Sequence, residues 1–579
     1  MYGIINGVSG DSNKGGLVMA YFLKTTKLKG RTYLSICESF YHPDRKGTAH
    51  RTYKSLSSVE TWKEKGIEDP IAYFQVEVDK LNKQRKAKGE RKISDVTPNL
   101  YLGYFPFKVI MERLNIKKWV DYFKLTNDFQ YDLYELLSSL IYARAVNPCS
   151  KHRTFHEVMP ELYDAVNYSY DQLLDGLAFL GNDYEKFVEI FTVEAKRVFK
   201  LDFSKTYFDC TNFYFEIDKE DDFRRKGPSK ENRREPIVGL GLLLDHNQIP
   251  IGMKMYPGNA SEKPVLRDII NTLKSQNHIV GRTIHVADKG LNCTQNIVFS
   301  KANGNGYLFS KSVKSLPEVE KTWVLLENDY KEVKDKYGKV QYYYKSCIDK
   351  YQYKVEHKGE MVAVNLTEKR LVTYNPVLAA KKRYEINRMV EKARFLTASQ
   401  IKKAEYGETG KYVNFSDKEG KKAIATINQE AIDKDLRFAG YNLLVTSETN
   451  MSDADMYETY SNLWRIEESF KIMKSDLDAR PVFVQKEDTI KGHFLICYLT
   501  VLLERILQFK ILKNQYSTNE IFKFIRNFKV TKAEYKYINT AKCTNFIKDL
   551  EKILSLPLTN YFLSETEIST ILNCKIKTR

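Results

Sequence analysis

Cysteine is scarce and ungrouped. The eight cysteines, Cys37, Cys149, Cys210, Cys293, Cys347, Cys497, Cys543 and Cys574, stand singly with no CxxC pair. That excludes a zinc ribbon and a disulfide framework and favours a reducing compartment. Long apolar runs are also missing. The best, Phe494 to Leu503, holds ten residues, about half of what a bilayer span needs, so it reads as a buried helix and no membrane partner is expected. No charged stretch followed by an apolar core and a small-residue cleavage site opens the chain, and the expected location is cytoplasmic. A phosphate loop of the form GxxxxGK followed by Ser or Thr is absent, and Asn303-Gly304-Asn305-Gly306 is an isolated glycine turn of little specificity. His152 and His156 have the i,i+4 spacing of a metal pair but lack the acids of an HExxH motif, and they read as structural. No internal repeat is visible.

What the chain has in excess is positive charge. Its 579 residues carry 92 Lys+Arg against 74 Asp+Glu, a net charge of +18, with 42% hydrophobic and 29% charged residues. This composition is that of a folded globular protein and excludes disorder and collagen. The charge makes a polyanion the favoured partner. The length predicts about three or four folding units.

Hydrophobic patterning divides the chain. Residues 1–18 are rich in Gly, Ser and Asn, precede Met19 as an alternative start, and are expected to be a disordered leader. Residues 19–95 read as a basic β module, with Tyr21-Phe22-Leu23 and Thr32 to Ile36 flanking a Lys29-Gly30 turn, followed by a Lys-rich connector helix from Asp69 to about Arg91. Residues 96–203 show apolar spacing of three and four, as in Leu133-Leu136-Leu137-Leu140-Ile141, and predict a helical domain. From 204 the pattern turns to strands at Thr206–Glu216, Ile237–Leu244 and Ile249–Tyr256. A helix, a strand at Thr283–Ala287, a second helix and a strand at Gly306–Phe309 follow, which predicts a mixed sheet with helices. Residues 311–437 interrupt this rhythm as a β-rich inserted subdomain. The rhythm resumes over 438–510 with a strand at Gly440–Thr446, one helix from about Ser452 to Leu477 and the apolar helix. Residues 511–579 read as a basic helical tail.

Three carboxylates fall where packing does not call for them. Asp209 interrupts Thr206-Tyr207-Phe208-Asp209-Cys210-Thr211-Asn212-Phe213-Tyr214-Phe215, otherwise a buried central strand; it must face a covered side or an end, where an unpaired carboxylate costs several kcal/mol. Asp288 directly follows Ile284-His285-Val286-Ala287 and precedes Lys289-Gly290, the strand-end position of active-site residues in open α/β sheets and equally that of a turn aspartate. Glu467 lies seven residues after Tyr460 and seven before Lys474, one stripe of a continuous helix, with Lys471 one turn beyond Glu467. An acid flanked by a phenol and cations suits a metal-bound phosphodiester; a solvated salt-bridge face is the plainer alternative. Trp464 reads as a core residue, and His493 is expected to pack or cap at the apolar helix.

The order of these residues resembles the DDE transposases of the IS4-like superfamily, specifically its IS1634 group. The matching stretches are Tyr207-Phe208-Asp209-Cys210-Thr211, Tyr256-Pro257-Gly258-Asn259, Val286-Ala287-Asp288-Lys289-Gly290-Leu291 and Leu463-Trp464-Arg465-Ile466-Glu467-Glu468-Ser469-Phe470 running on to Lys474-Ser475. The resemblance covers about Met19 to Gln508. The family signature, Tyr, two residues, Arg, three residues, Glu, six residues, Lys, fits Tyr460, Glu467 and Lys474, but Leu463 takes the place of the Arg. Arg465 leaves an ideal helix about 200° away and is no obvious substitute. Glu468, the rival third acid, is turned about 100° from the stripe.

The resemblance implies an α+β fold: an RNase H-like core with a mixed five-stranded sheet, a β-rich insertion before the Glu helix, and N-terminal β-hairpin and helical modules, the helical one binding the DNA end. It implies Asp209, Asp288 and Glu467 as catalytic and metal-binding residues. The cofactor expected is Mg²⁺ or Mn²⁺, as two ions, since an oxygen-only donor set suits hard cations. The partners are the terminal inverted repeats of the chain's own element and target DNA, with a homodimer pairing two ends in the cytoplasm, on the bacterial nucleoid. Tyr460, Lys471 and Lys474, with Arg225, Lys226, Arg233 and Arg234 of a basic loop between the first two strands, are the candidate DNA contacts. The alternative is a catalytically inactive, domesticated DNA-binding descendant, for which Leu463 is the one hint.

Overall fold

The computed structural model describes residues 18–42, 47–89, 97, 99–228, 230, 234–275, 281–357, 359–398, 403–416, 424–533 and 536–575. The leader at 1–17 and Arg233 lie outside these residues. The chain forms two compact units, Met1–Thr97 and Pro98–Arg579.

In the first unit, strands β1 (Val18–Leu28), β2 (Arg31–His42) and β3 (Gly47–Ser58) form an antiparallel sheet in that order. Leu28 pairs with Arg31 across Lys29-Gly30, both at positive φ (46° and 78°), the two-residue turn whose twist matches a hairpin. The helix Pro70–Gly89 is not the connector expected from its polar composition. Phe74 and Val78, one helical turn apart, pack with Leu34, Ile36 and Leu56 of the sheet, and the Asn82 side chain exchanges hydrogen bonds with the backbone of Tyr21 at 2.8 and 2.9 Å. A narrow apolar stripe on a lysine-rich helix is enough to close this small core.

The second unit opens with β4 (Asn99–Tyr101) and helices that include Leu133–Val146, Tyr170–Asn182 and Tyr184–Phe199. These share one hydrophobic core with the sheet that follows and with the helix Glu487–Ile506, whose residues from Phe494 to Ile506 are all buried. Among the described residues no helix is long and apolar enough to cross a membrane.

Five strands build the heart of the sheet: β5 (Lys205–Tyr214), β6 (Ile237–Leu244), β7 (Pro250–Pro257), β8 (Ile284–Ala287) and β9 (Gly306–Lys311). They lie side by side as β7-β6-β5-β8-β9. β5, β6 and β7 form an antiparallel meander, while β8 and β9 run parallel to β5. A meander of three strands followed by two parallel crossover strands in this order is the RNase H-like arrangement. Every residue of β6 is buried, as expected of a strand covered on both faces.

Segment 311–437 supplies β10 (Lys331–Lys334), β11 (Val340–His357), β12 (Glu360–Tyr374), β13 (Val413–Ser416) and β14 (Ile424–Ile427). The next strand, β15 (Tyr441–Thr446), pairs with both β9 and β12. The long β11–β12 hairpin therefore extends the central sheet to nine strands instead of standing apart from it. The helix Pro376–Ala398 has a small core of its own, where Ile386, Val390 and Ala393 meet Tyr412 and Ile432.

The tail holds three helices, Thr518–Asn527, Asn545–Leu554 and Glu565–Leu572, and adds short strands to them. β16 (Lys529–Ala533), β17 (Lys536–Asn539) and β18 (Phe562–Leu563) join β4 in a four-stranded sheet ordered β18-β17-β16-β4. The alternation of lysine with aromatics there is a strand period of two, buried on one side at Val530 and Tyr537.

Candidate active site

Two carboxylates reach the site from adjacent parallel strands. Asp209 stands in the middle of β5, and its Oδ1 accepts the Cys210 amide at 2.7 Å. The Lys230 ammonium lies 3.6 Å from Asp209 Oδ1 and 3.5 Å from Glu262 Oε1 and donates to the Cys210 carbonyl. Asn212 holds the loop that carries Lys230 by donating to Pro228 O at 3.1 Å. This loop also crosses Gly258, where a Cβ would strike the carbonyls of Arg225 and Ile237; close backbone approach is what requires glycine after Tyr256-Pro257.

Asp288 follows β8 at its carboxyl end. Ala287 is paired with Phe309, so the next residue of β9, Ser310, falls beside Asp288 and donates to its Oδ1 at 2.9 Å. The Tyr460 hydroxyl donates to the same oxygen at 2.8 Å. Burial pulls the Asp288 carboxyl upward, but hydrogen bonds from the Lys289 amide, Tyr460 and Ser310 outweigh it and hold the group below the usual carboxylate range. Asp209 goes the other way. Burial pushes its carboxyl up to about 6, against the opposing pull of Lys230 and the Cys210 amide and with the help of the negative charges of Glu262 and Asp288.

The third acid arrives on a broken helix. The single helix expected from Ser452 to Leu477 is three pieces: Asp453–Ser461, Trp464–Lys471 and a π-turn at Ile472–Asp476. At the first break the amides of Leu463, Arg465 and Ile466 bond three residues back, at 2.9, 3.2 and 3.1 Å, which tightens the turn and shifts the phase of everything after it. Tyr460 and Glu467 still line one cavity with Asp209 and Asp288, about 340 Å³ in volume. Lys474 does not join them; it sits over the Phe213 ring, 5.4 Å from its centroid, and Lys471 is exposed. Glu468 turns away to the buried Arg505, 3.1 Å distant.

Leu463 and Trp464 complete the cavity wall. Trp464 is 55% exposed and is therefore not the core residue its size suggested. Beside it Tyr342 of β11 stacks on Tyr457 at 4.2 Å. Arg465 points elsewhere, donating to Gln248 at 2.7 Å, so the place of the missing arginine is not refilled from there. In the basic loop Arg225 pairs with Asp222 at 2.9 Å, while Lys226 and Arg234 are exposed. His493 is buried, 3.0 Å from Ala479 O and 3.3 Å from the Lys151 ammonium, a packing role. His152 and His156 stand in an aromatic cluster with Tyr170.

The stretch that carries all three acids, residues 208–503, matches the family model described as Transposase DDE domain. The chain belongs to the transposase DDE domain family. None of the curated proteins matches it. Among solved structures, a piggyBac transposase in a synaptic complex with hairpin DNA is similar over 74% of this chain and 79% of that one, at 10% identity and a TM-score of 0.36.

DDE-family transposases use divalent metal ions. Among the described residues no three His, Cys, Asp or Glu side chains stand close enough to hold one ion together, so the side chains do not form a closed ligand set. The chemistry of the donors fits nonetheless. They are oxygens only, the type hard cations take, and the charges of Glu262 and Asp288 both oppose that of Asp209, with the Lys230 ammonium as the nearby positive charge.

Proposed function

We propose that this chain is an active transposase that binds the ends of its own insertion element and cuts and joins DNA there through Asp209, Asp288 and Glu467. The finer placement in the IS1634 group of the IS4-like superfamily belongs to the same reading. The observation that carries it is the meeting of these acids, from β5, the end of β8 and the helix Trp464–Lys471, in one cavity. Asp209, Asp288 and Glu467 would supply oxygen donors to Mg²⁺ or Mn²⁺, expected as two ions, so that no single ion needs all three. Bound there, the cation supplies Lewis acidity to the attacking and leaving oxygens of an in-line displacement.

The protein's own part is orientation and charge. Ser310 and Tyr460 keep Asp288 ionised and fix its rotamer. Lys230 offsets the Asp209 charge, 3.6 Å from its Oδ1, the place where a bound cation would act. Trp464 and the Tyr342–Tyr457 stack give the cavity an apolar wall. The DNA at the element ends, a homodimer that pairs two ends, and association with the nucleoid follow from this reading.

The test is nicking of a duplex made from the DNA flanking the gene, with Mg²⁺ or Mn²⁺. Cleavage by the wild type and its loss in Asp209→Asn supports the proposal. Leu463 in the arginine place, with no replacement from Arg465, favours a second reading, an inactive DNA-binding descendant. Tight, salt-sensitive binding to the flanking DNA with no cleavage under any divalent ion would decide for it.

A further inference from the structure

A second cavity, about 410 Å³, adjoins the first and has the opposite charge. Leu378, Gly440 and Asn442 line both, so the two share a wall. Gly440 stands at this junction: its φ is +88°, and a Cβ there would strike Ala379, so β15 and the helix Pro376–Ala398 meet at a point where only glycine fits.

Five lysines line the second cavity: Lys289, Lys311, Lys314, Lys381 and Lys382. Lys289 follows Asp288 in the chain, Lys311 ends β9, and Lys381 and Lys382 lie on the first turns of the helix. Two of the five are already neutralised. Lys314 pairs with Asp435, and Lys382 lies 3.1 Å from Glu385. Lys289, Lys311 and Lys381 have no ion-pair partner among the described residues. Lys311 is half-buried over the Tyr353 ring, 5.8 Å from its centroid, and burial with the neighbouring Arg370 charge pulls its ammonium below the ordinary lysine range against the opposing pull of Glu320 and Glu368.

We propose that this groove holds the sugar-phosphate backbone of one DNA strand as it leaves the carboxylate cavity, with Lys289, Lys311 and Lys381 facing successive phosphates. The identity of the strand rests on the transposase reading above. Three cations without an ion pair among the described residues, in a groove beside the carboxylate cavity, match the charge of a phosphate backbone. They position a strand without reading its sequence. An acidic peptide offers the same sign of charge but has no reason to continue into a cavity lined by carboxylates.

The experiment uses the full chain and a mixed-sequence single-stranded 20-mer, with binding followed by fluorescence anisotropy between 50 and 300 mM salt. The variant is Lys289→Gln/Lys311→Gln/Lys381→Gln, and a charge-matched control is Lys27→Gln/Lys63→Gln/Lys83→Gln in the first unit. Because each phosphate contact adds about 0.7 to the salt slope on single strands, three lost contacts should flatten it by about 2, with the control unchanged. An unchanged slope in the groove variant, equal flattening in the control, or equally tight binding of polyglutamate to the wild type overturns the proposal. Cleavage assays separate this from the catalytic reading. A wild type that never cuts DNA while the groove variant alone loses slope defeats that reading and leaves the groove standing. A wild type that cuts, with a groove variant of unchanged slope and KM, defeats the groove alone.

Discussion

Neighbouring glutamates on the helix Trp464–Lys471 enter two clusters of charge that are built on different principles. Glu467 joins Asp209 and Asp288 around an open cavity. Glu468 binds Arg505, which is 1% exposed and also faces Glu504 at 3.7 Å and Gln508 at 2.6 Å. Glu504 is fully buried, no donor meets its oxygens in good hydrogen-bond geometry among the described residues, and Arg505 and Thr518 are the groups that favour its charge. In the cavity, acids outnumber cations and the space beside them is left unfilled; in the core, the charges meet each other and the space is packed. The first arrangement leaves negative charge available to a ligand, whereas the second fixes the helix that presents Glu467. Acid content alone does not distinguish a site from a clamp; what surrounds the acids does.

The sharpest way to break this comparison is to neutralise each cluster. Asp209→Asn, Asp288→Asn or Glu467→Gln should each lower strand cleavage by about a thousandfold or more, the scale of removing a group that stabilises charge in a transition state. The melting temperature should hold or rise in Asp209→Asn, whose charge is opposed by burial, and fall in Asp288→Asn, whose charge is held by hydrogen bonds. Arg505→Met should act chiefly on stability. It strands Glu504 and Glu468, and loss of one partner from a buried pair costs about 3–5 kcal/mol, read as a fall in melting temperature. Any loss of cleavage at temperatures where the variant stays folded would come from a displaced Glu467.

Glu504→Gln isolates the cost of the buried acid. Burial pushes the Glu504 carboxyl up to about 7 from an ordinary 4.5, with the Arg505 charge pulling against it. A raised folded-state pKa means that the group's stabilisation is complete below about pH 4.5 and is lost as pH rises through about 7. Wild type should therefore be less stable at pH 8 than at pH 5 by a share on the order of 3 kcal/mol from this residue, and Glu504→Gln should remove that share. Equal pH dependence of melting in the two proteins would mean that the charge is met by some other group.

Much of this was legible in the residues and some was not, for identifiable reasons. The strands from Thr206 to Phe309 and the strand-end place of Asp288 follow from apolar runs bounded by turns, and the sheet's register then puts Ser310 beside Asp288. The long hairpin of 311–437 was readable as strands, but its pairing with β15 spans dozens of residues and leaves no local trace. Lys230 stood in the basic loop with five other cations, and only the fold singles it out as the one that turns inward to Asp209. The stripe through Tyr460, Glu467 and Lys474 assumed one unbroken helix. The tightened turn at Leu463 and the π-turn at Ile472–Asp476 change the phase, so the tyrosine and glutamate stay together and the lysine leaves. Trp464 was misplaced because its bulk argued for burial, whereas a cavity wall can leave a large ring half in solvent.

The smallest expected effect tests the finest part of the comparison, the difference between Asp209 and Asp288. Both are partly buried acids on adjacent strands, yet only Asp288 is held low, and Tyr460 is one of the donors that do so. Burial and the Asp288 charge keep the Tyr460 phenol protonated far above neutral pH, so it is a donor throughout the working range. Tyr460→Phe keeps the ring and removes only that hydrogen. A hydrogen bond to a charged group contributes about 1.5–3 kcal/mol, and Ser310 retains its own bond to the same oxygen, so cleavage at neutral pH should fall about tenfold. The pH profile carries the sharper sign. Asp209, pushed up to about 6, sets the first acid limb, which should stay in place; the further fall at lower pH, where Asp288 loses its charge, should begin at higher pH without Tyr460. A uniform loss across all pH values would show instead that the ring's packing against the cavity, and not its hydroxyl, is what Asp288 depends on.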